Sequence, residues 1–230
     1  MRLIARKIDK VIVKEVQVTY GKLPVKRGDV ALDLGANIGA ASRLMLDKGV
    51  AKVIAIEPDP TNYRLARRNL ARLPATVIWA AVGAVTGRMT IWMRPDKPYL
   101  SSKLRDDGRV PVKVPSLTLG GLLARYHPTI VKCDIEFGEY DLPELHELPD
   151  YVRVLALEVH VRHDIVLAHG KQTKEEIKVQ RKEAAALIAS IEGQGFKTIW
   201  RKDKNAQTGP VDDDSGFGPL VKSVDAIWSR

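Results

Sequence analysis

Val30-Ala31-Leu32-Asp33-Leu34-Gly35-Ala36-Asn37-Ile38-Gly39 is the stretch on which the fold turns. Its first half is a short run of apolar, partly β-branched residues, the pattern of a strand buried on both faces. Its second half holds two glycines around an asparagine, and the helix-forming residues from Ala40 to Lys48 follow, closed by Gly49. Strand, glycine loop and helix in that order are the opening of a βαβ unit. Ligands of open α/β sheets bind beyond the carboxyl ends of such strands.

Working outward, the unit repeats. Val53-Ile54-Ala55-Ile56 reads as a second buried strand, ending at Glu57-Pro58-Asp59-Pro60, and a helix is predicted over 61–73 with Asp59 or Thr61 as its cap. Further strands are predicted at 76–82, 129–134, 153–160, 196–200 and 224–228, and helices at 117–126 and 174–192. The stretch 88–114 reads as a strand followed by a loop, and 202–218 as a polar loop. Residues 10–20, with valines at roughly alternate positions, read as strand or hairpin. The expectation is a Rossmann-like, seven-stranded α/β sheet with helices on both faces. The division expected is a short N-terminal β extension over 1–24 and one domain over 25–230.

Bulk properties narrow the class. Of 230 residues, 45% are apolar, enough for a large core. No apolar run approaches the roughly 18–20 residues of a membrane span. A single cysteine, Cys133, excludes an internal disulfide framework and fits a cytoplasmic protein. The formal charge of +9 favours anionic partners such as RNA, or simply a well-solvated surface. The nearest approach to a basic patch is Arg64, Arg67, Arg68 and Arg72 on one predicted helix.

The loop alone distinguishes poorly between an ordinary turn, a dinucleotide site and a nucleoside site. Glu57, eighteen residues beyond Gly39 at the end of the second strand, is placed to accept hydrogen bonds from both hydroxyls of a ribose. The dinucleotide spacing Gly-x-Gly-x-x-Gly is absent, since Asn37 stands at the second glycine position. Close backbone approach to a pyrophosphate is therefore not provided. S-adenosyl-L-methionine has a ribose and no phosphate, and its amino-acid end can be met by Asp33, Asn37 and backbone amides. The expected cofactor-binding residues are Asp33, Gly35, Asn37, Gly39, Glu57, Pro58, Asp59, Ala81, Asp134 and Glu136.

These residues resemble the FkbM family of methyltransferases. Residues 30–42 are similar to its Asp-x-Gly-Ala-Asn-x-Gly opening, 55–60 to its Glu-Pro signature, 98–102 to its Ser-Ser segment, and 116–119 to its Thr-Leu-Asp. Residues 131–139 are similar to Lys-Ile-Asp-Val-Glu-Gly-x-Glu, and 157–160 to a strand ending in Glu-x-His. Two positions depart: Gly120 stands for the Asp of Thr-Leu-Asp, and Phe137 for a Gly. The resemblance implies O-methylation of a hydroxyl on a small-molecule or glycan-like acceptor.

Methyl transfer needs an aligned nucleophile and a group to take its proton. Asp134, Glu136 and Glu139 follow the fourth core strand, and Glu158 and His160 end the fifth. Asp134 is expected beside the sulfonium, with Glu158 or His160 as general base. A second arrangement has Asp134, Glu136, Glu158 and His160 holding a divalent metal. A third has the carboxylates pairing with Lys132 and Arg153 and merely ending the sheet. His163, Asp164 and Asp212-Asp213-Asp214 read as surface loop, and His127, His146 and His169 have no assigned role. Trp79, Trp92, Trp200 and Trp228 are expected in the core, with Trp92 or Tyr99 as candidate pocket walls. RNA methylation is the alternative function. It lacks an Asn/Asp-Pro-Pro-Tyr/Phe motif and rests on the charge and the arginine face.

Overall fold

A computed structural model of the chain describes residues 3–6, 9–94, 109–161, 173–204 and 223–230. The Ser-Ser segment at 98–102, Tyr99, His163, Asp164, His169, the aspartates 212–214 and most of the 202–218 loop lie outside the described residues.

In chain order the elements are α1 (Asp9–Tyr20), β1 (Val30–Leu34), α2 (Ala40–Asp47), β2 (Lys52–Glu57), α3 (Pro60–Asn69), β3 (Ala75–Trp79), β4 (Ala81–Val82), β5 (Gly87–Met93), β6 (Val110–Leu117), α4 (Leu119–Tyr126), β7 (Ile130–Cys133), β8 (Val154–His160), α5 (Lys174–Gly193), β9 (Lys197–Lys204) and β10 (Ser223–Ser229). Seven strands form one sheet in the order β3-β2-β1-β7-β8-β10-β9. The pairs from β3 to β8 are parallel, while β10 runs antiparallel to both β8 and β9. After β1 the chain builds outward through β2 and β3, then returns to place β7 on the other side of β1. That reversal opens a crevice at the carboxyl ends of β1 and β7.

The apolar strands are buried on both faces because side chains alternate across the sheet. Leu32, Leu34, Ile54 and Ile56 pack into one core with α4 and α5. Ala31, Val53, Ala55, Ile130 and Ala156 pack into another, which also holds Val16, Tyr20 and Leu23. Helix starts follow local chemistry. The Asp59 carboxylate accepts the Thr61 and Asn62 N–H groups at the start of α3, Thr118 caps α4, and Thr173 with Glu176 forms a capping box on α5. Gly49, with φ of 103°, follows α2 in the left-handed conformation expected of a residue closing a helix. No helix among the described residues is long and apolar enough to cross a membrane.

Four expectations are corrected. The N-terminal β extension is a helix: residues 9–20 form α1. The segment satisfies two periods at once. Its valines alternate, but Ile12, Val13, Val16, Thr19 and Tyr20 also fall on one helical face, and that face is the one turned inward. Val11 and Val18, which a strand would have buried, are 73% and 47% exposed. The predicted strand 76–82 breaks at Ala80, and Ala81–Val82 leave the main sheet for a three-stranded one, β4-β6-β5. Part of the expected 88–114 loop is strand β6, whose Pro111 and Pro115 are an even number of residues apart, so their missing N–H groups fall on the same edge. Of the tryptophans expected in the core, Trp228 is buried, whereas Trp79 is 37% exposed and donates through Nε1 to the Pro58 carbonyl at 2.8 Å.

Candidate active site

The glycine loop is shaped by the strand beside it. Gly35 has φ of 76°, and a Cβ there would lie 1.9 Å from the carbonyl oxygen of Asp134. Only glycine lets the end of β1 pass so close to the end of β7. The Gly35 and Ala36 N–H groups donate to the Ile56 carbonyl at 3.0 Å each. Glu57 then fastens the loop: its carboxylate accepts the Asn37 N–H at 2.7 Å and the Asp59 N–H at 2.8 Å. Burial raises the Glu57 pKa to about 7 against the pull of those two hydrogen bonds.

Beside this loop is a cavity of about 300 Å³. Gly35, Asn37, Glu57, Pro58, Ala81, Asp134, Glu136 and Glu158 line it, so eight of the residues singled out from the sequence share one wall system. Asp33, Gly39, Asp59 and His160 do not line it. Asp33 is fully buried below the loop, where it accepts from Ser42 Oγ at 2.6 Å and pairs with Lys132 Nζ at 3.1 Å. Lys132 also donates to the Gly35 carbonyl at 2.7 Å and lies 3.8 Å from Asp134. Gly39 turns the chain into α2 against Leu70, and Asp59 serves as the cap of α3.

The fourth-strand motif does not continue as strand. β7 stops at Cys133, and Glu136 and Phe137 both adopt left-handed backbone, with φ of 52° and 70°. A glycine at position 137 would adopt this without steric cost. Phe137 bears the cost and sets its ring against His160, centroids 4.7 Å apart. At the other departure, Gly120, the Glu144 carboxylate accepts the Gly120 N–H at 2.7 Å, and a Cβ at 120 would strike it. Glu144 thus places a carboxylate at the N-terminus of α4 in place of the missing aspartate.

His160 is buried among acids. Glu139 Oε1 accepts both its N–H, at 2.8 Å, and its Nδ1, at 2.9 Å, while Nε2 faces Glu136 at 3.6 Å and Glu158 at 3.7 Å. Burial alone would discharge the ring, but the three carboxylates outweigh it and carry the imidazole pKa well above its ordinary value. Glu136 is pushed up to about 8 by burial and by its acidic neighbours, with His160 opposing. Glu158 accepts from Ser223 Oγ at 2.7 Å. Asp134, Glu158 and His160 each present an oxygen or nitrogen within 4.8 Å of the others. Arg153 takes no part here, being paired with Asp29. Cys133 is a buried core residue whose thiol burial pushes far up.

Sequence reading missed one wall. Ile12, Glu15, Val16 and Tyr20, spaced along one face of α1, close the cavity from the side opposite the loop. Their i, i+4, i+8 spacing was the available signal. Met89 and Ile91 of β5 also line it.

No curated protein matches the sequence. Among solved structures, the chain is similar to the C-terminal domain of precorrin-6Y C5,15-methyltransferase from Rhodobacter capsulatus, at 15% identity and TM-score 0.50, covering 94% of this chain and 89% of that one. It is also similar to precorrin-6Y C5,15-methyltransferase from Geobacter metallireducens, at 16% identity and TM-score 0.45, covering 99% and 95%. At 15% identity the likeness to the first of these is one of fold alone. The methyltransferase FkbM domain model matches residues 33–197, from the aspartate before the glycine loop to the first residue of β9. With well over half of its length inside that match, the chain belongs to the FkbM methyltransferase family.

Proposed function

We propose that the protein transfers the methyl group of S-adenosyl-L-methionine to a hydroxyl of a small-molecule or glycan-like acceptor. The observation that carries this reading is the shared cavity: the glycine loop with its fastened Glu57 and the acidic ends of β7 and β8 line the same 300 Å³. The cofactor fits the residues present. Gly35, Asn37 and Ala81 line the cavity beside Glu57, which offers a buried carboxylate with acceptor capacity beyond its two backbone bonds. Gly35, Asn37, Glu57, Pro58 and Ala81 would hold the nucleoside end, and Asp134 and Glu136 the region of the sulfonium. Asp33, Gly39 and Asp59 act from outside the cavity, keeping Lys132, α2 and α3 in place.

When bound, S-adenosyl-L-methionine supplies a methyl on a positively charged sulfur. The methyl would pass to a lone pair of the acceptor oxygen, with the cofactor leaving as a neutral thioether, and this chain's part is to take the hydroxyl proton on a carboxylate. Glu158 is the base of choice, because it lines the cavity while His160 does not. Its carboxylate neighbours raise the His160 pKa, which makes it the poorer candidate of the two to accept that proton. It positions Glu158 and Glu136 instead.

The test is methyl-labelled S-adenosyl-L-methionine offered with cell-extract fractions of glycans, small metabolites and RNA. Label is expected in one of the first two, at a rate unaffected by a chelator. Glu158→Gln should lower turnover about 100-fold or more with cofactor affinity unchanged. Label in RNA alone, with affinity falling steeply with salt, would replace this reading with the one suggested by exposed Arg64, Arg67, Arg68 and Arg72 on and just beyond α3.

A further inference from the structure

Tyr20 ends α1 with its ring in the core and its hydroxyl unpaired. The residue is 6% exposed and packs with Val16 and Leu23. Lys132 Nζ lies over the ring, 5.7 Å from its centroid. Together these contacts fix the ring. The hydroxyl at its tip has no hydrogen-bond partner among the described residues, yet it is not sealed from solvent. A phenol at that depth ordinarily finds a partner. Tyr20 borders open space at the 300 Å³ cavity and at a recess of about 40 Å³ between α1 and the ends of β7, β8 and β10. Phenylalanine would fill the same core without leaving a polar group unpaired, so folding alone does not account for the hydroxyl.

Its place along the cavity indicates what it meets. Glu57, suited to a ribose, stands at the glycine loop, and α1 closes the side opposite that loop. The carboxylates that act most strongly on the phenol are those of Asp134, Asp225 and Glu158. Tyr20 is therefore at the sulfonium end, where the amino-acid part of S-adenosyl-L-methionine would lie, and the carboxylate of that part needs donors. Asp33 cannot meet it, being an acid sealed below the loop. Lys132 is the one lysine, arginine or histidine among the described residues lining the cavity. Its three N–H groups are spent on Asp33 and on the Leu34 and Gly35 carbonyls, at 3.1, 3.2 and 2.7 Å. Burial, then the neighbouring carboxylates, push the Tyr20 phenol well above its usual range, so it remains an O–H donor at neutral pH.

Resting on the transfer reading above, we propose that Tyr20 is a cofactor-binding residue whose hydroxyl donates to the carboxylate of the cofactor's amino-acid end. The ammonium on the same carbon faces Asp134, so the two charges of the zwitterion are met by groups of the right kind on the two sides. α1 is then part of the cofactor site and not only a wall closing it. The hydroxyl, unpaired in the ligand-free protein, gains its partner when the cofactor enters.

The experiment is calorimetry on the full chain, wild type and Tyr20→Phe. Each is titrated with S-adenosyl-L-homocysteine and with its decarboxylated analogue, which keeps the ammonium and lacks the carboxylate. Tyr20→Phe should weaken S-adenosyl-L-homocysteine about ten- to a hundredfold. Towards the analogue the two proteins should agree within about twofold, because the interaction tested is already absent. The melting temperature of the ligand-free variant should hold or rise, since the ring stays and an unpaired hydroxyl goes. Equal binding of S-adenosyl-L-homocysteine by both proteins overturns the proposal. A loss of the same size towards the analogue overturns it as well, by placing the hydroxyl's role away from the carboxylate. So does a marked fall in the melting temperature, which would mean the hydroxyl is paired within the fold. Failure of the underlying transfer reading is visible separately, as a wild-type protein that binds neither compound.

Discussion

Replacing Glu139 by Gln tests whether His160 is held as a cation. Glu139 is fully buried, and one of its oxygens accepts from both the backbone and the ring of His160, at 2.8 and 2.9 Å. Glutamine keeps the shape and a carbonyl oxygen in that place but removes the charge. A hydrogen bond to a charged group contributes roughly 1.5–3 kcal/mol and a neutral one roughly 0.5–1.5, so about 1–1.5 kcal/mol is lost with the charge. A second loss comes from the other oxygen, which has no hydrogen-bond partner within the protein. An amide NH2 in its place is a buried donor left unsatisfied, at a cost of about 1–3 kcal/mol. The sum near pH 6 is about 2–4 kcal/mol.

The two parts separate by pH. The folded pKa of His160 is raised above its unfolded value, so the stability it contributes is fully present below pH 6.5 and is lost as pH rises through the folded value. The unsatisfied amide costs the same at every pH. Urea unfolding of both proteins from pH 6 upward should therefore show a gap that narrows by about 1–1.5 kcal/mol. NMR titration of the ring should show the His160 pKa falling back toward 6.5 in the variant. A gap that is flat or widens with pH would refute the assignment of a protonated imidazole.

Three further outcomes follow from the same geometry. Gly35→Ala forces a side chain into left-handed backbone, at roughly 1–2 kcal/mol, and against the Asp134 carbonyl. The melting temperature should drop, and calorimetry should show S-adenosyl-L-methionine binding weakened more than tenfold. Phe137→Gly relieves about 1–2 kcal/mol of left-handed strain but removes a buried ring whose loss costs about 3–5, so urea unfolding should show net destabilisation of about 2 kcal/mol. Glu57 has a folded pKa of about 7 against 4.5, so the ligand-free protein loses up to about 3 kcal/mol as pH rises through that window. Glu57→Gln should abolish that loss in a pH series of thermal melts while weakening the cofactor at least tenfold by calorimetry.

What the sequence made legible was whatever is encoded locally. The strands around Leu32, Ile54, Val131 and Leu155 are short apolar runs, and a run buried on both faces has few other readings. Glu57 was legible because its distance from the glycine loop is set by one helix and one strand. The residues 10–20 were not legible, because β-branched residues at alternate positions favour strand locally while inward burial of Val16 and Tyr20 on α2 and β1 favours helix, and tertiary packing decides such cases. Losing α1 meant losing the cavity wall that Glu15 and Tyr20 provide. The left-handed turn at Glu136 and Phe137 was hidden for a different reason: the Phe stands where the sequence signal for that turn, a glycine, would be.

The distribution of charge bears on both readings of function. Basic residues are exposed along α3, as Arg64, Arg67 and Arg68, while acidic ones collect where β7, β8 and β10 end. A nucleic-acid substrate would lay its backbone along the exposed arginines while the target base, turned out of its stack, enters the cavity. Raised salt should leave the binding of a neutral glycan-like or small-molecule acceptor nearly unchanged, whereas an RNA substrate bound through the arginines would lose affinity by orders of magnitude between about 50 and 200 mM. A steep salt dependence of turnover that flattens when Arg64, Arg67 and Arg68 are replaced by Ala would favour RNA over a neutral small-molecule acceptor.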